Sequence, residues 1–230
     1  MVKPLNTRIK NFNVQPISGS DPSASGTTQP TGNLGLNLAG HFLIAMPSMT
    51  DPVFGGSVIY LCEHNADGAL GVIINKPTDM TMETLFKRID LALEIVPDSL
   101  ENMRSPELGI DQRPVMFGGP VQVERGFVLH AMANDFSSMI KVSDDVALTT
   151  SKDVLEAVGH GAGPAEFLVT LGCAGWSAGQ LEAEIGRNGW LTVAADSDIL
   201  FRTPVEERFA AALNLLGVDP VMLSREAGHA

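Results

Sequence analysis

Residues 170–186, TLGCAGWSAGQLEAEIG, place a serine in the setting of a nucleophile elbow. Ser177 has Gly175 two residues before it and Gly179 two residues after it, the spacing of a serine on a sharp strand-to-helix turn. A hydrolase of this kind also needs a downstream acid followed by a histidine. His229, next to the C-terminus, is the only histidine after Ser177, so a credible base is lacking and we assign no catalytic residue.

The same glycine-rich segment could bind an anion, because a turn before a helix offers unpaired backbone amides and the positive end of the helix dipole. It has neither the lysine of a phosphate-binding loop nor the glycine spacing of a dinucleotide fold. Glu182 and Glu184 already supply negative charge to the predicted helix. We therefore favour a structural role, in which the glycines let backbones approach and Trp176 fills a core or groove.

Cys62 and His64 lie two residues apart in a predicted strand, so their side chains should share one face. A reactive thiolate needs a lowered pKa, some exposure and a nearby base. Cys62 lies in an apolar run that should bury it and raise its pKa, so a structural thiol is favoured and a redox role is the alternative. The cysteine and histidine spacings are not those of a zinc site, and we predict no metal and no cofactor.

A second glycine turn follows a predicted strand and contains Gly118, Gly119 and Pro120, which are also interpreted as shaping the backbone. Glu124 and Arg125 come shortly after this turn. Together with Glu182 they could form an ion pair or an acid–base site, and structural pairing is favoured.

The composition excludes several classes of protein. The chain has 230 residues, 44% hydrophobic and 18% charged, as in ordinary globular proteins. Its net charge of -12, from 27 acidic and 15 basic residues, disfavours direct binding to nucleic acid. Two cysteines, no apolar N-terminal run and no membrane-length apolar stretch predict a cytoplasmic protein.

The predicted elements begin with a hairpin of residues 57–64 and 69–76 and a helix over residues 80–90 capped by Thr81. An exposed loop is expected over residues 96–113. The remaining predictions are strands at 114–117, 126–130, 145–149, 166–171 and 190–194 and helices at 151–158, 180–185 and 203–217, the last starting with a Thr203–Glu206 capping box. This order predicts an α+β domain over residues 38–225, after a polar leader (1–37) and before a short tail (226–230).

Three segments together resemble the YqgE/AlgH family of bacterial proteins. They are HFLIAMPSMTDPVFGGSVIYLCEHNADGALGVIINKP, MFGGPVQVERGFVLH and TLGCAGWSAGQLEAEIGRNGWLTVAADSDILF. The resemblance implies a single α+β domain whose bent, mixed β-sheets form a pseudo-barrel flanked by helices. Family members are labelled transcriptional regulators through a member linked to alginate regulation, and the resemblance implies no DNA-binding element.

The function expected from these observations is that of a regulatory or protein-interaction module whose partner is another protein. The alternative is an enzyme or a small-ligand or phosphate-binding protein that uses residues 172–179, and control through direct DNA binding is the weakest hypothesis. The candidate surface consists of Gly118, Gly119, Pro120, Glu124, Arg125, Gly175, Trp176, Ser177, Gly179, Gln180 and Glu182.

Overall fold

The computed structural model describes residues 37–92, 109–132 and 135–217. Nearly all of the expected leader (1–37), the tail (226–230) and residues 96–108 of the predicted loop lie outside these ranges. Where the loop is described, it contains a short 3-10 helix, Ile110–Gln112. None of the described helices is long and apolar enough to span a membrane.

The described residues form ten strands that belong to one sheet. They are β1 (His41–Ala45), β2 (Val58–Asn65), β3 (Gly68–Ile73), β4 (Pro77–Thr81), β5 (Pro114–Phe117), β6 (Val121–Ala131), β7 (Met139–Lys141), β8 (Val146–Thr149), β9 (Phe167–Ser177) and β10 (Trp190–Ala194). Neighbouring strands follow the order β10-β1-β2-β3-β9-β6-β8-β7, and β5 joins β4 to the sheet by pairing in parallel with β9. The sheet curls into a half-barrel, which confirms the predicted α+β fold.

Five α-helices pack on this sheet within the described ranges. They are α1 (Met82–Arg88), α2 (Asp153–Gly159), α3 (Gln180–Gly186), α4 (Ser197–Phe201) and α5 (Arg208–Leu215). Helix α5 packs on β1 and β2, α3 on β3, β9 and β10, and α1 on β4 and β5. The strands β1, β4 and β7 and the helix α4 are elements that the sequence did not predict.

The predicted hairpin is confirmed as β2 and β3. Gly68 closes its turn with φ of +141°, a value that favours glycine. Alternate residues of β2 enter two different hydrophobic clusters, Tyr60 on one face and Ile59 on the other, so both faces are buried as predicted. Strand β3 ends at Ile73 and not at residue 76. Beyond it, the N–H of Val58 donates to Oδ1 of Asn75 at 2.8 Å and not to a backbone carbonyl.

The two ends of the predicted final helix have different outcomes. Its stop is confirmed, since α5 ends at Leu215 and Gly217 has φ of +66°. Its predicted start at Thr203 is wrong. The N–H and hydroxyl of Thr203 both donate to the carbonyl of Asp198, at 2.8 and 3.1 Å, so this residue closes the turn that follows α4 and does not cap α5, which begins at Arg208.

Helix α1 has the predicted cap. Thr81 adopts an extended conformation, and its hydroxyl oxygen accepts the N–H of Thr84 at 3.3 Å. Met82, Leu85 and Phe86 form its buried face and pack with residues of α2 and β9 in a third hydrophobic cluster. The apolar spacing in the sequence therefore predicted this helix and the face that it buries.

Candidate functional site

The two glycine-rich motifs, residues 118–120 and 172–175, lie against each other where β5 and β6 pair with β9. A Cβ atom at Gly118 would lie 2.2 Å from the carbonyl oxygen of Gly172. One at Gly172 would lie 2.3 Å from the carbonyl oxygen of Gly119, and one at Gly119 would lie 2.4 Å from that of Cys173. Real Cβ atoms do not approach other atoms so closely, so each of these positions needs a residue without a side chain.

The predicted turn after residue 171 is absent, because β9 continues to Ser177. Residues Ala174 to Ser177 pair with β3, and Cys173 pairs with Val121, so β6 also begins five residues before its predicted start. Pairing of Cys173 with β6 and of residues 174–177 with β3 keeps this segment within the strand, although Gly172 itself has φ of +75°. The amides of the segment therefore do not gather at a turn, as a phosphate-binding loop would require.

Ser177 lies at the exposed end of this strand and not on an elbow. Its backbone N–H and its hydroxyl both donate to Oε1 of Gln180, each at 3.1 Å. Gly179 follows with φ of +73° and precedes the first residue of α3. The serine thus terminates β9 and links it to α3, and its described contacts are not those of a nucleophile with a base.

The carboxylate of Glu184 joins the two tryptophans of the chain. Its Oε2 accepts the indole N–H of Trp176 at 2.9 Å and that of Trp190 at 2.8 Å, while its Oε1 accepts the side-chain amide of Gln180 at 2.9 Å. The two indole rings are 6.1 Å apart and nearly perpendicular, and the Phe54 ring lies 5.8 Å from Trp190 and 6.5 Å from Trp176. This arrangement ties β9, α3, β10 and the loop before β2 together.

Glu182 binds His64 and not Arg125. The Nδ1 atom of His64 accepts the N–H of Leu38 at 3.0 Å, so Nε2 carries the proton and donates to Glu182 at 3.0 Å. The backbone N–H of Glu182 itself, and then the His64 ring, hold the pKa of this carboxyl below its ordinary value. None of the ion pairs among the described residues joins Glu124, Arg125 and Glu182, so the structure does not assemble this predicted group.

Residues 122–125 of β6 form an exposed bulge, hereafter the 122–125 bulge. The ladder with β9 resumes only at Gly126, and Gln122 has φ of +51°. Arg125 is held by two contacts, from one guanidinium nitrogen to the side-chain oxygen of Gln122 at 3.3 Å and from the other to the hydroxyl of Thr150 at 2.9 Å. Its guanidinium also lies 5.6 Å from the centre of the Phe127 ring.

Both thiols are buried in the same hydrophobic cluster. Cys62 is 2% exposed, its Sγ lies 3.6 Å from the carbonyl oxygen of Tyr60, and burial raises its pKa. Burial also raises the pKa of Cys173, to about 11, although Arg125 partly opposes the shift. Within the described residues, no three His, Cys, Asp or Glu side chains converge as a metal site would require.

Comparison with known proteins decides the family. The AlgH-like family matches residues 42–221, which is most of the chain. This chain belongs to the AlgH-like family. UPF0301 proteins of Ralstonia nicotianae and Bordetella petrii are 60% and 59% identical to it, over 85% and 84% of this chain and 96% and 90% of theirs. The resemblance inferred from the three sequence segments is confirmed.

Two solved structures resemble this AlgH-like chain. The solution structure of AlgH from Pseudomonas aeruginosa is 42% identical, with a TM-score of 0.62 over 90% of this chain and 100% of that one. A crystal structure of a protein from Corynebacterium diphtheriae is 18% identical, with a TM-score of 0.59 over 82% of this chain and 92% of that one, and shows the shared fold alone.

Sequence reasoning about this AlgH-like site named Trp176 and Gln180 but did not identify Glu184 as the residue that connects them. Glu184 is four residues after Gln180 in α3, a spacing that places two side chains on one helix face. That spacing was the available signal. The region around residues 41–54 was also expected to belong to the surface, but nothing in the local pattern indicated that Phe54 or Trp190 would contact Trp176, because these contacts depend on how the sheet curls.

Proposed function

We propose that this AlgH-like protein is a cytoplasmic regulatory module that acts by binding another protein through the 122–125 bulge. A regulatory role is suggested by the name of its Pseudomonas relative, AlgH. The observation that carries the proposal is the bulge itself, which is exposed and yet has Arg125 bonded both to Gln122 at the other end of the bulge and to Thr150 outside it. Exposed side chains that are already ordered lose little conformational entropy when a partner binds.

The side chains of the bulge are of the kinds that protein interfaces use. Val123 is 48% exposed, which makes it one of the few large apolar side chains on the described surface. Glu124 and Arg125 lie beside it, and arginine is enriched among the interface residues that contribute most of the binding energy. A small apolar contact bordered by charges is therefore the recognition surface that this region offers.

The glycine motifs explain how the bulge is positioned. A Cβ atom at Gly172 would lie 3.3 Å from the Cα of Val123, so the bulge packs directly over β9. Gly119 and Gly172 allow this close approach, and the bulge in turn projects from the sheet. In this view the glycine-rich sequence serves the shape of a binding surface.

The other hypotheses find less support in the described contacts. An enzyme or an anion-binding protein at residues 172–179 would need a turn, whereas this stretch is mostly strand and the Ser177 hydroxyl is bound to Gln180. Control through direct DNA binding conflicts with the net charge of -12. The same negative charge favours a partner with a basic surface, because two proteins of opposite charge associate faster.

The test is a photo-crosslinking amino acid placed at position 123, with one at Leu215 as the matched control. Leu215 is also apolar and exposed, at 42%, but lies on α5. In lysate of the source organism, we expect position 123 to capture one defined protein that position 215 does not. The purified partner should bind Val123→Asp at least about tenfold more weakly than the unmodified chain and Leu215→Asp normally.

Two results would refute this proposal. One is that positions 123 and 215 capture the same proteins equally well. The other is that the purified partner binds Val123→Asp as tightly as the unmodified chain. Since Val123 is exposed, urea unfolding should show that the variant folds normally. A gel shift with DNA that persists at physiological salt would favour the nucleic-acid hypothesis instead.

A further inference from the structure

Lys76, in the bend between β3 and β4, is held differently from most of the described lysines. Its Nζ donates to the carbonyl oxygen of Val53 at 2.5 Å, and its side chain is partly buried. Among the described residues, it has no carboxylate within ion-pair distance. Burial lowers its pKa, and the nearby Asp51 only partly opposes the shift, so more of the amine is neutral at a given pH.

The other described lysines provide the contrast. Lys87 pairs with Glu83 at 2.6 Å, and Lys141 pairs with Asp144 at 2.8 Å, so a carboxylate stabilises each ammonium. Both side chains are more than half exposed. Lys152 donates to a backbone carbonyl, as Lys76 does, but it lies on the surface. Lys76 thus combines partial burial with a neutral hydrogen-bond partner.

The carbonyl that Lys76 binds belongs to the loop between β1 and β2, residues 46–57. Oδ1 of Asp51 accepts the N–H groups of Val53 and Phe54, both at 2.8 Å, which fixes the turn that carries the Phe54 ring. That ring packs on Trp176 and Trp190. The Lys76 contact therefore fastens a loop whose aromatic side chain lies against the two tryptophans.

We propose that Lys76 is a modification site, acylated at Nζ by small acyl phosphates, and that acylation loosens the 46–57 loop. The lone pair of the neutral amine attacks the acyl carbonyl carbon and forms a C–N bond. The bond from that carbon to the phosphate oxygen breaks, phosphate leaves with the electron pair, and the amine loses one proton to water. The product is an uncharged amide that is too bulky to keep the Val53 contact as it is.

The first test incubates the full chain with acetyl phosphate near neutral pH and follows each lysine by peptide mass spectrometry. Lys76 should be acetylated several-fold faster than Lys87 and Lys141. In denaturant the rates of the three lysines should converge, because the difference comes from the fold. A native rate for Lys76 equal to or below those of Lys87 and Lys141 would overturn the assignment.

The second test measures tryptophan emission, which reports on Phe54 because both tryptophans of the chain contact it. Lys76→Gln, which mimics the uncharged amide, should shift the emission, and acetylated protein should shift in the same direction. Lys76→Arg keeps a cationic donor and should retain the original spectrum. If Lys76→Gln also retains it, the loop does not depend on this contact and that part of the proposal is wrong.

Discussion

The carbonyl oxygen of Gly119 lies 2.3 Å from the position that a Cβ atom would occupy on Gly172. The backbone of Gly172 also has φ of +75°, which disfavours any residue with a side chain. Two independent constraints therefore require glycine in the strand that crosses beneath the 122–125 bulge. The contact between Gly119 and Gly172 therefore sets how closely β9 approaches the turn at residues 118–120.

Replacing this glycine should be costly. Gly172→Ala would combine a strained backbone with a collision against Gly119, and we expect a loss of at least about 2 kcal/mol in the free energy of unfolding. Gly186→Ala is the matched control, because nothing lies within 4 Å of its added Cβ. Urea unfolding should show the control within about 0.5 kcal/mol of the unmodified chain. Equal stability of the two variants would contradict the shape role of Gly172.

Glu184 should be important for stability although its side chain is not fully buried. Glu184→Ala would leave the indole N–H groups of two buried tryptophans without their acceptor, at about 1 to 3 kcal/mol for each group. Tryptophan emission should shift to longer wavelength as water reaches the rings. Glu184→Gln keeps an oxygen acceptor and should lose less stability. Glu207→Ala, at an exposed glutamate, serves as the control and should change neither measurement.

His130 should make stability depend on pH. The residue is 0% exposed, its Nδ1–H donates to the carbonyl of Ala131 at 2.9 Å, and its Nε2 accepts the hydroxyl of Thr149 at 2.8 Å. Burial lowers its pKa from the ordinary 6.5. The unfolded chain therefore binds this proton first, and the contribution of His130 is complete above pH 6.5 and is lost as the pH falls towards the folded pKa.

This prediction is checked by measuring the free energy of unfolding from pH 8 down to pH 5. His130→Asn should lower stability at all pH values but flatten the acid side of the profile, by less than about 1.4 kcal/mol per pH unit. A slope that is the same with and without His130 would show that another group is responsible.

The two thiols should be unreactive in the folded protein. Burial raises the pKa of both Cys62 and Cys173, so little thiolate forms and reagents cannot reach it. A disulfide reagent at pH 8 should therefore label native protein only as fast as it unfolds, and should label both cysteines at once in denaturant. Rapid labelling of Cys62 in native protein would instead support the redox role considered from the sequence.

Several elements could be predicted because their information is local. Asn65–Gly68 forms the turn of the hairpin because glycine accepts the positive φ that closes it. Thr81 caps α1 because its hydroxyl reaches an N–H three residues ahead. The burial of Cys62 followed from the apolar run around it. In each case the deciding contact lies within a few residues of the chain.

Local signals were misleading where other partners, near or far along the chain, compete for the same groups. Thr203 has a capping-box sequence, yet its hydroxyl and N–H are taken by Asp198 of the preceding helix. The glycines after residue 171 look like a turn, yet Gly175 pairs with Leu70, which lies 105 residues earlier in the chain. Because β6 pairs with Cys173 and β3 pairs with residues 174–177, these residues form a strand in preference to a turn.

The amino-acid sequence by itself determined the α+β class, the hairpin, the capped helix, the apolar core and the family, because these rest on short-range periodicity and on segments that can be read in order. Tertiary structure alone decided that β9 extends to Ser177, that Glu184 holds both tryptophans, and that residues 122–125 project as a bulge. The physical reason is that the length of β9 and the bulge are set by pairing between strands far apart in the chain, and the Glu184 contacts by how α3 packs against β9 and β10.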